Sequence, residues 1–189
     1  MLTAQRRHFD SLFDASHDPW GYRTRFSEQR RHALVLAMLD RSFYTHGFEP
    51  GCANGVLTAQ LAERCHVLLA VDASQSAVAL ARTATAHYPN VTLAQADVPR
   101  DWPSTAFDLV VLVDFLYYLE AADVASVCAL AGQSLAENGT LVVAHWRGQA
   151  DDFLTPTCDV HRIVRESVGS EPDSTLCDRD HLVDLWVQP

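Results

Sequence analysis

The chain has 189 residues, 48% of them hydrophobic, and a mean hydropathy of −0.04. No apolar run is long enough to span a bilayer, so we expect a single globular domain in the cytoplasm without a membrane partner. The formal net charge of −10 argues against a nucleic-acid partner, because contacts to phosphates require a basic surface. All 14 basic residues are arginines, which is typical of a GC-rich bacterial genome.

The five cysteines are scattered and form no Cys-x-x-Cys pair. We therefore expect reduced, mostly buried thiols in a reducing compartment and no metal site. Four arginines near the start form the one local basic cluster, and we interpret it as the solvated face of a helix: Arg23, Arg25, Arg30 and Arg31.

The first 40 residues predict an irregular arm followed by a helix. Residues 9–19 are polar with isolated aromatic side chains, and residues 18–22 (Asp-Pro-Trp-Gly-Tyr) carry the Pro and Gly of a turn. From Ser27 to Leu39 the apolar residues recur at helical spacing.

Strands and helices alternate after residue 44. A first strand ends at Glu49, and apolar runs predict further strands at 66–72, 91–97, 107–113 and 140–145. Helical patterns fill the intervals at 55–64, 74–87, 121–135 and 159–167, with Asn138-Gly139 as the predicted stop of the third. Residues 174–178 and 181–187 predict a closing hairpin. The sequence thus predicts a Rossmann-like, doubly wound α/β fold with a mostly parallel seven-stranded sheet and an antiparallel C-terminal hairpin.

The turn after the first strand, residues 49–55 (Glu-Pro-Gly-Cys-Ala-Asn-Gly), predicts a ligand cradle. A dinucleotide fingerprint places its third glycine where this chain has Val56. Glu49 disfavours an anionic pyrophosphate and favours a cationic ligand. Asp72 and Asp97 end the next two strands, so the three acids should meet at one edge of the sheet.

This constellation resembles the class I S-adenosylmethionine-dependent methyltransferases. Shorter strings are similar to the nodulation protein S family: residues 18–22, 48–52, 116–119 (Leu-Tyr-Tyr-Leu) and His145-Trp146. The resemblance implies S-adenosyl-L-methionine as cofactor, S-adenosyl-L-homocysteine as product, and N-methylation of an amino sugar or related small amine. O-methylation and a non-catalytic cofactor-binding domain stay open, and an NAD-dependent oxidoreductase is disfavoured.

The resemblance also assigns site residues within one domain at 1–189, with residues 1–40 as a lid on a cofactor-binding core at 44–189. Expected cofactor contacts come from the arm, the turn and the strand ends: Trp20, Glu49, Gly51, Cys52, Ala53, Gly55, Asp72, Ala73, Asp97, Val98 and Asp114. Expected substrate contacts are Tyr22, Tyr117, Tyr118, His145 and Trp146. His145 and Asp114 are the candidates for taking a proton from the acceptor, with local hydrogen bonding and turn capping as their alternatives.

One departure from the family's pattern concerns the turn itself. The middle glycine of the family's turn is Ala53 here. If that position needs a positive φ, the alanine is strained by roughly 1 kcal/mol or a little more. If it needs only a close approach, the methyl group is tolerated.

Overall fold

The computed structural model describes the backbone of residues 3–188 and the side chains of residues 5–188. Six helices and seven strands follow in chain order: α1 (Thr3–Ala15), α2 (Phe26–Met38), β1 (Tyr44–Pro50), α3 (Val56–Ala62), β2 (Cys65–Asp72), α4 (Gln75–Ala84), β3 (Val91–Gln95), β4 (Phe107–Val113), α5 (Ala121–Ser134), β5 (Leu135–Trp146), α6 (Thr157–Val168), β6 (Ser174–Cys177) and β7 (His181–Val187). A 3₁₀ turn at Leu116–Tyr118 follows β4.

All seven strands form one sheet in the order β3-β2-β1-β4-β5-β7-β6. Strands β1 to β5 pair in parallel, whereas β7 pairs antiparallel with both β5 and β6. The predicted fold class is therefore confirmed. The strand order reverses between β1 and β4, and open α/β sheets bind ligands at such a reversal, beyond the carboxyl ends of the strands.

Apolar side chains on both faces of the sheet form two core layers. One layer joins the sheet to α2 and α3, with Val35, Leu61 and Leu109 fully buried. The other joins it to α5 and α6 and contains Val110 and Leu112. Strand β4 contributes to both layers because successive side chains point to opposite faces, which explains its continuous apolar run.

The N-terminal segment differs from its prediction, because residues 3–15 form a helix rather than an irregular arm. Its two buried aromatic residues, Phe9 and Phe13, lie four positions apart and share one face of α1. Phe9 contacts Tyr118, with ring centroids 4.9 Å apart, and Phe13 contacts Trp20 at 5.4 Å. The helix is stabilised by this distant packing rather than by a long apolar pattern of its own.

The predicted stop of α5 at Asn138-Gly139 is also wrong. The helix ends at Ser134, and β5 begins at Leu135, which pairs with Phe107 of β4. Asn138 instead has a positive φ of 58° inside β5. By contrast, the predicted cap of α4 is present, because the Ser74 side chain accepts from the Ala77 amide. Within residues 3–188, no helix has the length and apolarity needed to cross a membrane.

Candidate functional site

The turn between β1 and α3 is left-handed at three positions: Gly51 (φ 75°), Ala53 (φ 49°) and Gly55 (φ 78°). A Cβ at Gly51 would lie 2.9 Å from Cβ of Phe115, so this position has no room for a side chain. Ala53 is the non-glycine residue among the three, so its left-handed backbone is the strained one. Its amide donates to Oδ2 of Asp72 at 3.0 Å.

An open cleft, here called the edge cleft, lies beyond the carboxyl ends of the parallel strands. Phe9 and Phe13 of α1 contribute to its wall. It brings together most of the residues predicted to bind a cofactor: Trp20, Gly51, Ala53, Asp72, Ala73, Asp97, Val98 and Asp114.

A smaller cavity, the turn pocket, lies beside the turn and shares Gly51, Ala53 and Asp114 with the edge cleft. Glu49 and Cys52 line this pocket rather than the edge cleft. Gly55 lines neither, because it packs on α4, where an added Cβ would lie 2.7 Å from Cα of Ala81. The structure therefore gives Gly55 a packing role, and its contact with a cofactor stays a prediction.

Another cavity, the aromatic cleft, shares Trp20, Tyr22 and Tyr118 with the edge cleft. The remaining predicted substrate residues at its wall are Tyr117 and Trp146. The structure adds Phe153, whose ring stacks on Tyr117 at 3.8 Å, and three charged residues: Glu28, Arg31 and Asp152.

Asp72 connects the end of β2 to the turn. Its carboxylate accepts from the amides of Ala53 at 3.0 Å and Ser74 at 2.8 Å. Burial raises the pKa of Asp72 to about 6, although these two amides oppose the shift. Each carboxylate oxygen keeps a further lone pair, so Asp72 can still accept from a ligand in the edge cleft.

Glu49 is buried behind the turn, and its Oε2 atom has no hydrogen-bond partner among the described residues. Burial raises the pKa of Glu49 to about 8; the Thr58 hydroxyl opposes this shift and the Asp72 carboxylate reinforces it. In the absence of a cation, Glu49 is therefore mostly protonated at pH 7. An orphaned carboxyl oxygen is costly, so the pocket favours a ligand that donates to it.

Asp114 lies just after β4 with a φ of 53° and forms a buried ion pair with Arg31 of α2. Arg31 also pairs with Glu28, and it is only 2% exposed. Oδ1 of Asp114 accepts from the Trp146 amide at 2.9 Å and the Tyr117 hydroxyl at 3.1 Å. Burial raises the pKa of Asp114 despite the opposing charge of Arg31. The interpretation of Arg31 as part of a solvated face is therefore wrong.

His145 is fully buried and lines neither the edge cleft, the turn pocket nor the aromatic cleft. Its Nδ1 lies 3.1 Å from Nε2 of His161, whose Nδ1 lies 2.8 Å from Asp184. Burial, followed by the neighbouring His161, lowers the pKa of His145 well below its usual value. Successive side chains of β5 point to opposite faces of the sheet, and that of His145 points toward α6. The structure therefore does not support direct contact between His145 and a substrate.

Sequence reasoning missed the inward-facing residues of α2. Glu28, Arg31, His32 and Val35 recur at spacings of three and four, which places them on one face of the helix. That spacing could have located the face, but three of the four residues are polar or charged, so hydrophobicity alone gave no signal. No group of three metal-ligating side chains occurs in the described part of the chain.

The sheet order and the reversed last strand define the Rossmann-like fold of the class I methyltransferases. The N-methyltransferase NodS from Bradyrhizobium japonicum WM9, solved with S-adenosyl-L-homocysteine, has this fold with a TM-score of 0.84. That likeness covers 97% of this chain and 98% of the other at 24% identity. A putative methyltransferase from Pseudomonas syringae is 40% identical, with a TM-score of 0.77 over 87% of this chain and all of the other.

Residues 8–150 match the family described as Nodulation protein S (NodS), and the chain belongs to this family. Nodulation protein S of Sinorhizobium fredii is 35% identical over 114 residues, which are 60% of this chain and 52% of that protein. The chain spans about half the length of the curated relatives it matches.

Replacing Ala53 by Gly should raise the free energy of unfolding by about 0.5–1 kcal/mol. Glycine removes a left-handed strain of roughly 1–2 kcal/mol, partly offset by the greater entropy of the unfolded chain. Urea denaturation measures the difference, with Ala129→Gly on an exposed position of α5 as the control that should lose about 1 kcal/mol. A loss of stability in Ala53→Gly similar to that of the control would contradict the strain assignment.

Replacing Glu49 by Gln should change how stability depends on pH. Between about 4.5 and about 8, the unfolded chain releases the Glu49 proton while the folded chain keeps it. The folded state binds more protons there, so the free energy of unfolding of the unmodified chain falls with rising pH, by at most about 1.4 kcal/mol per unit from this group. We expect the Gln variant to lack this contribution.

Urea denaturation at pH 5, 6, 7 and 8 without ligand checks this expectation. The stability of Glu49→Gln relative to the unmodified chain should grow with pH, whereas the exposed control Glu137→Gln should show no trend. Parallel pH curves for Glu49→Gln and the unmodified chain would exclude a raised pKa at Glu49.

Proposed function

We propose that this chain binds S-adenosyl-L-methionine in the edge cleft and transfers its methyl group to an amine in the aromatic cleft. The observation that carries the proposal is that the two clefts adjoin, because Trp20, Tyr22 and Tyr118 line both of them. A donor and an acceptor that meet at this junction would have their reacting ends in contact. Alignment of this kind can supply roughly 7–11 kcal/mol of a displacement barrier.

The residues of the edge cleft and the turn pocket fit the cofactor. The orphaned Oε2 of Glu49 suits an ammonium group, and Gly51 leaves bare backbone for close approach. Asp72 keeps lone pairs for the ribose hydroxyls, and Asp97 and Val98 lie where the adenine would be held. A pyrophosphate has no such match, because Glu49 and Asp72 would repel it.

Bound here, the cofactor would supply an electrophilic methyl group on a sulfonium. In the transfer an N–C bond to the acceptor would form as the S–C bond breaks, and the bonding electrons would remain on sulfur in S-adenosyl-L-homocysteine. Asp114 lines the edge cleft beside this junction, and burial raises the pKa of its carboxyl. We assign the proton released by the amine to Asp114, with Arg31 and Tyr117 holding its carboxylate in place.

An amino sugar or a related small amine is the proposed acceptor. The aromatic cleft offers Trp146 and Tyr118 as flat surfaces for a sugar ring, while Asp152 gives it an acidic wall that attracts an ammonium. The Bradyrhizobium relative is an N-methyltransferase, which favours nitrogen as the acceptor atom. A hydroxyl acceptor is the second candidate and would place a greater demand on Asp114, since a hydroxyl gives up its proton less readily than an ammonium.

The N-terminal segment, residues 1–40 of a single domain, is proposed as the lid of this site. Residues of α1, α2 and the connection between them form walls of all three cavities. The free cysteines, three of them buried, fit the reducing conditions of a bacterial cytoplasm, which is the compartment we propose.

Two experiments test the proposal. The first is calorimetric titration with S-adenosyl-L-homocysteine and with NAD, and the second is a radiolabelled methyl-transfer assay on amino sugars. We expect binding of the first ligand only, and label transferred to nitrogen. Asp72→Ala should weaken binding at least tenfold, because hydrogen bonds to a charged group are lost. The exposed control Asp151→Ala should bind normally.

Three results would contradict this account at different points. Binding of NAD instead of S-adenosyl-L-homocysteine would favour an oxidoreductase. Binding of the cofactor without transfer to any amine or hydroxyl would favour a non-catalytic cofactor-binding domain. Unchanged affinity in Asp72→Ala would remove Asp72 from the cofactor site.

A further inference from the structure

Three titratable side chains are connected by hydrogen bonds inside the core layer between the sheet and α6: Asp184 of β7, His161 of α6 and His145 of β5. They are 0%, 2% and 0% exposed, respectively. The core cluster of this layer is apolar and includes Val143 and Val164. Burying polar groups among apolar side chains is costly, so the burial of three of them indicates a role beyond packing.

Asp184 determines where the first proton of this chain lies. Its carboxylate accepts from the Thr175 hydroxyl at 2.6 Å and from Arg165 at 3.0 Å. Burial opposes the ionisation of Asp184, but hydrogen bonds from His161 and Thr175 hold its pKa below the usual value. A carboxylate only accepts hydrogen bonds, so Nδ1 of His161, 2.8 Å from Asp184, carries a proton.

The second proton lies on Nδ1 of His145. This atom is 3.1 Å from Nε2 of His161, and a neutral His161 with its proton on Nδ1 accepts at Nε2. Burial and the neighbouring His161 lower the pKa of His145 well below its usual value, so the His145 ring is neutral. Its Nε2 atom therefore carries a lone pair, and this buried atom has no hydrogen-bond partner in the part of the chain that the structure describes. The chain of hydrogen bonds thus ends on an unpaired proton acceptor.

The chain reaches the aromatic cleft through Tyr117. The His145 ring contacts the Tyr117 ring edge-on, with centroids 5.2 Å apart, and Tyr117 lines this cleft. The Tyr117 hydroxyl donates to Asp114 at 3.1 Å. Asp114 also accepts from the amide of Trp146, the residue that follows His145. His145 is therefore one side chain away from the carboxylate to which we assign the acceptor's proton.

We propose that three buried side chains form a proton store for the methyl-transfer reaction: Asp184, His161 and His145. This inference rests on the proposed function. After Asp114 has taken the proton of the amine, it passes a proton to the Tyr117 oxygen, whose own proton moves to Nε2 of His145. The proton on Nδ1 of His145 moves to Nε2 of His161, which becomes an imidazolium paired with Asp184. Asp114 is then a carboxylate again, and the same steps run in reverse when the product leaves.

Charge balance favours the store over Asp114 as the place of this proton. Protonation of Asp114 removes the carboxylate from its buried ion pair with Arg31. An imidazolium at His161 instead lies 2.8 Å from the Asp184 carboxylate. Arg165 also contacts Asp184, but its side chain is 35% exposed, so water screens its charge. The store therefore keeps the pair of Arg31 and Asp114 intact during turnover.

The transfer requires one movement, a turn of the Tyr117 hydroxyl from Asp114 toward Nε2 of His145. Protonation of Asp114 favours this turn because it removes the negative charge that holds the hydroxyl, and hydrogen bonds to charged groups are roughly twice as strong as those between neutral groups. The unpaired lone pair of His145 offers the hydroxyl a second acceptor.

The test measures steady-state transfer of labelled methyl from S-adenosyl-L-methionine to glucosamine in two variants. His161→Gln and Asp184→Asn keep side chains of similar size and remove the imidazole or the carboxylate of the store. We expect each to lower kcat by about tenfold or more, with the KM for glucosamine and the affinity for S-adenosyl-L-homocysteine within about twofold of the unmodified chain. Added imidazole reaches Asp114 from the open cleft and takes its proton, so it should raise kcat by about threefold or more in the variants and leave the unmodified chain unchanged.

Nitrogen-15 spectra of the ligand-free chain test the store without an acceptor. Nδ1 should carry the proton of the His145 ring, and Nε2 should carry none. A proton on Nε2 of His145 would overturn the store, because the chain would then end on a donor.

His87→Gln, at an exposed position, is the matched control and should keep a normal kcat. A normal kcat in both variants of the store would overturn it and leave the proposed function intact. A lowered kcat that added imidazole does not restore, or an equal loss of cofactor affinity, would show a merely structural role and overturn the store as well. An unmodified chain that transfers no methyl group to glucosamine or to the other amines of the assay would overturn the proposed function and this inference together.

Discussion

The buried ion pair between Arg31 and Asp114 is the interaction on which the site depends. It joins α2 to the carboxyl end of β4, at the point where the strand order reverses. Removing Arg31 would leave the Asp114 carboxylate buried without its cation, which typically costs about 3–5 kcal/mol. Because Arg31 also holds Glu28, and Asp114 also holds Tyr117, one buried cluster fixes walls of both the edge cleft and the aromatic cleft.

The sequence predicted the core better than the N-terminal segment, for a physical reason. The bounds of β4 follow from its continuous apolar run, and Asp72 was located because an acid at the end of a buried strand needs a partner. Helix α1 depends on contacts with Trp20 and Tyr118, which no local pattern reveals. The burial of Arg31 likewise depends on a carboxylate 83 positions away in the chain.

Two predictions for the site depended on the face of its element that each residue occupies. His145 lies near the carboxyl end of β5, at the predicted edge of the sheet. Its side chain, however, faces α6 and the hydrogen-bonded network of His161 and Asp184. Gly55 lies in the predicted turn, yet it supports the packing of α3 on α4. The acids Glu49 and Asp72 remain as the electrostatic basis of the proposed cofactor site, because Glu49 is buried, Asp72 is partly buried, and neither forms an ion pair with a basic side chain of residues 5–188.

Hydrogen exchange with and without S-adenosyl-L-homocysteine tests most directly whether one bound cofactor is enclosed by the sheet edge and the N-terminal segment together. Amides of the turn at residues 51–55 and of both α1 and α2 should exchange more slowly in the complex. Protection confined to the turn, with α1 and α2 unchanged, would contradict this account.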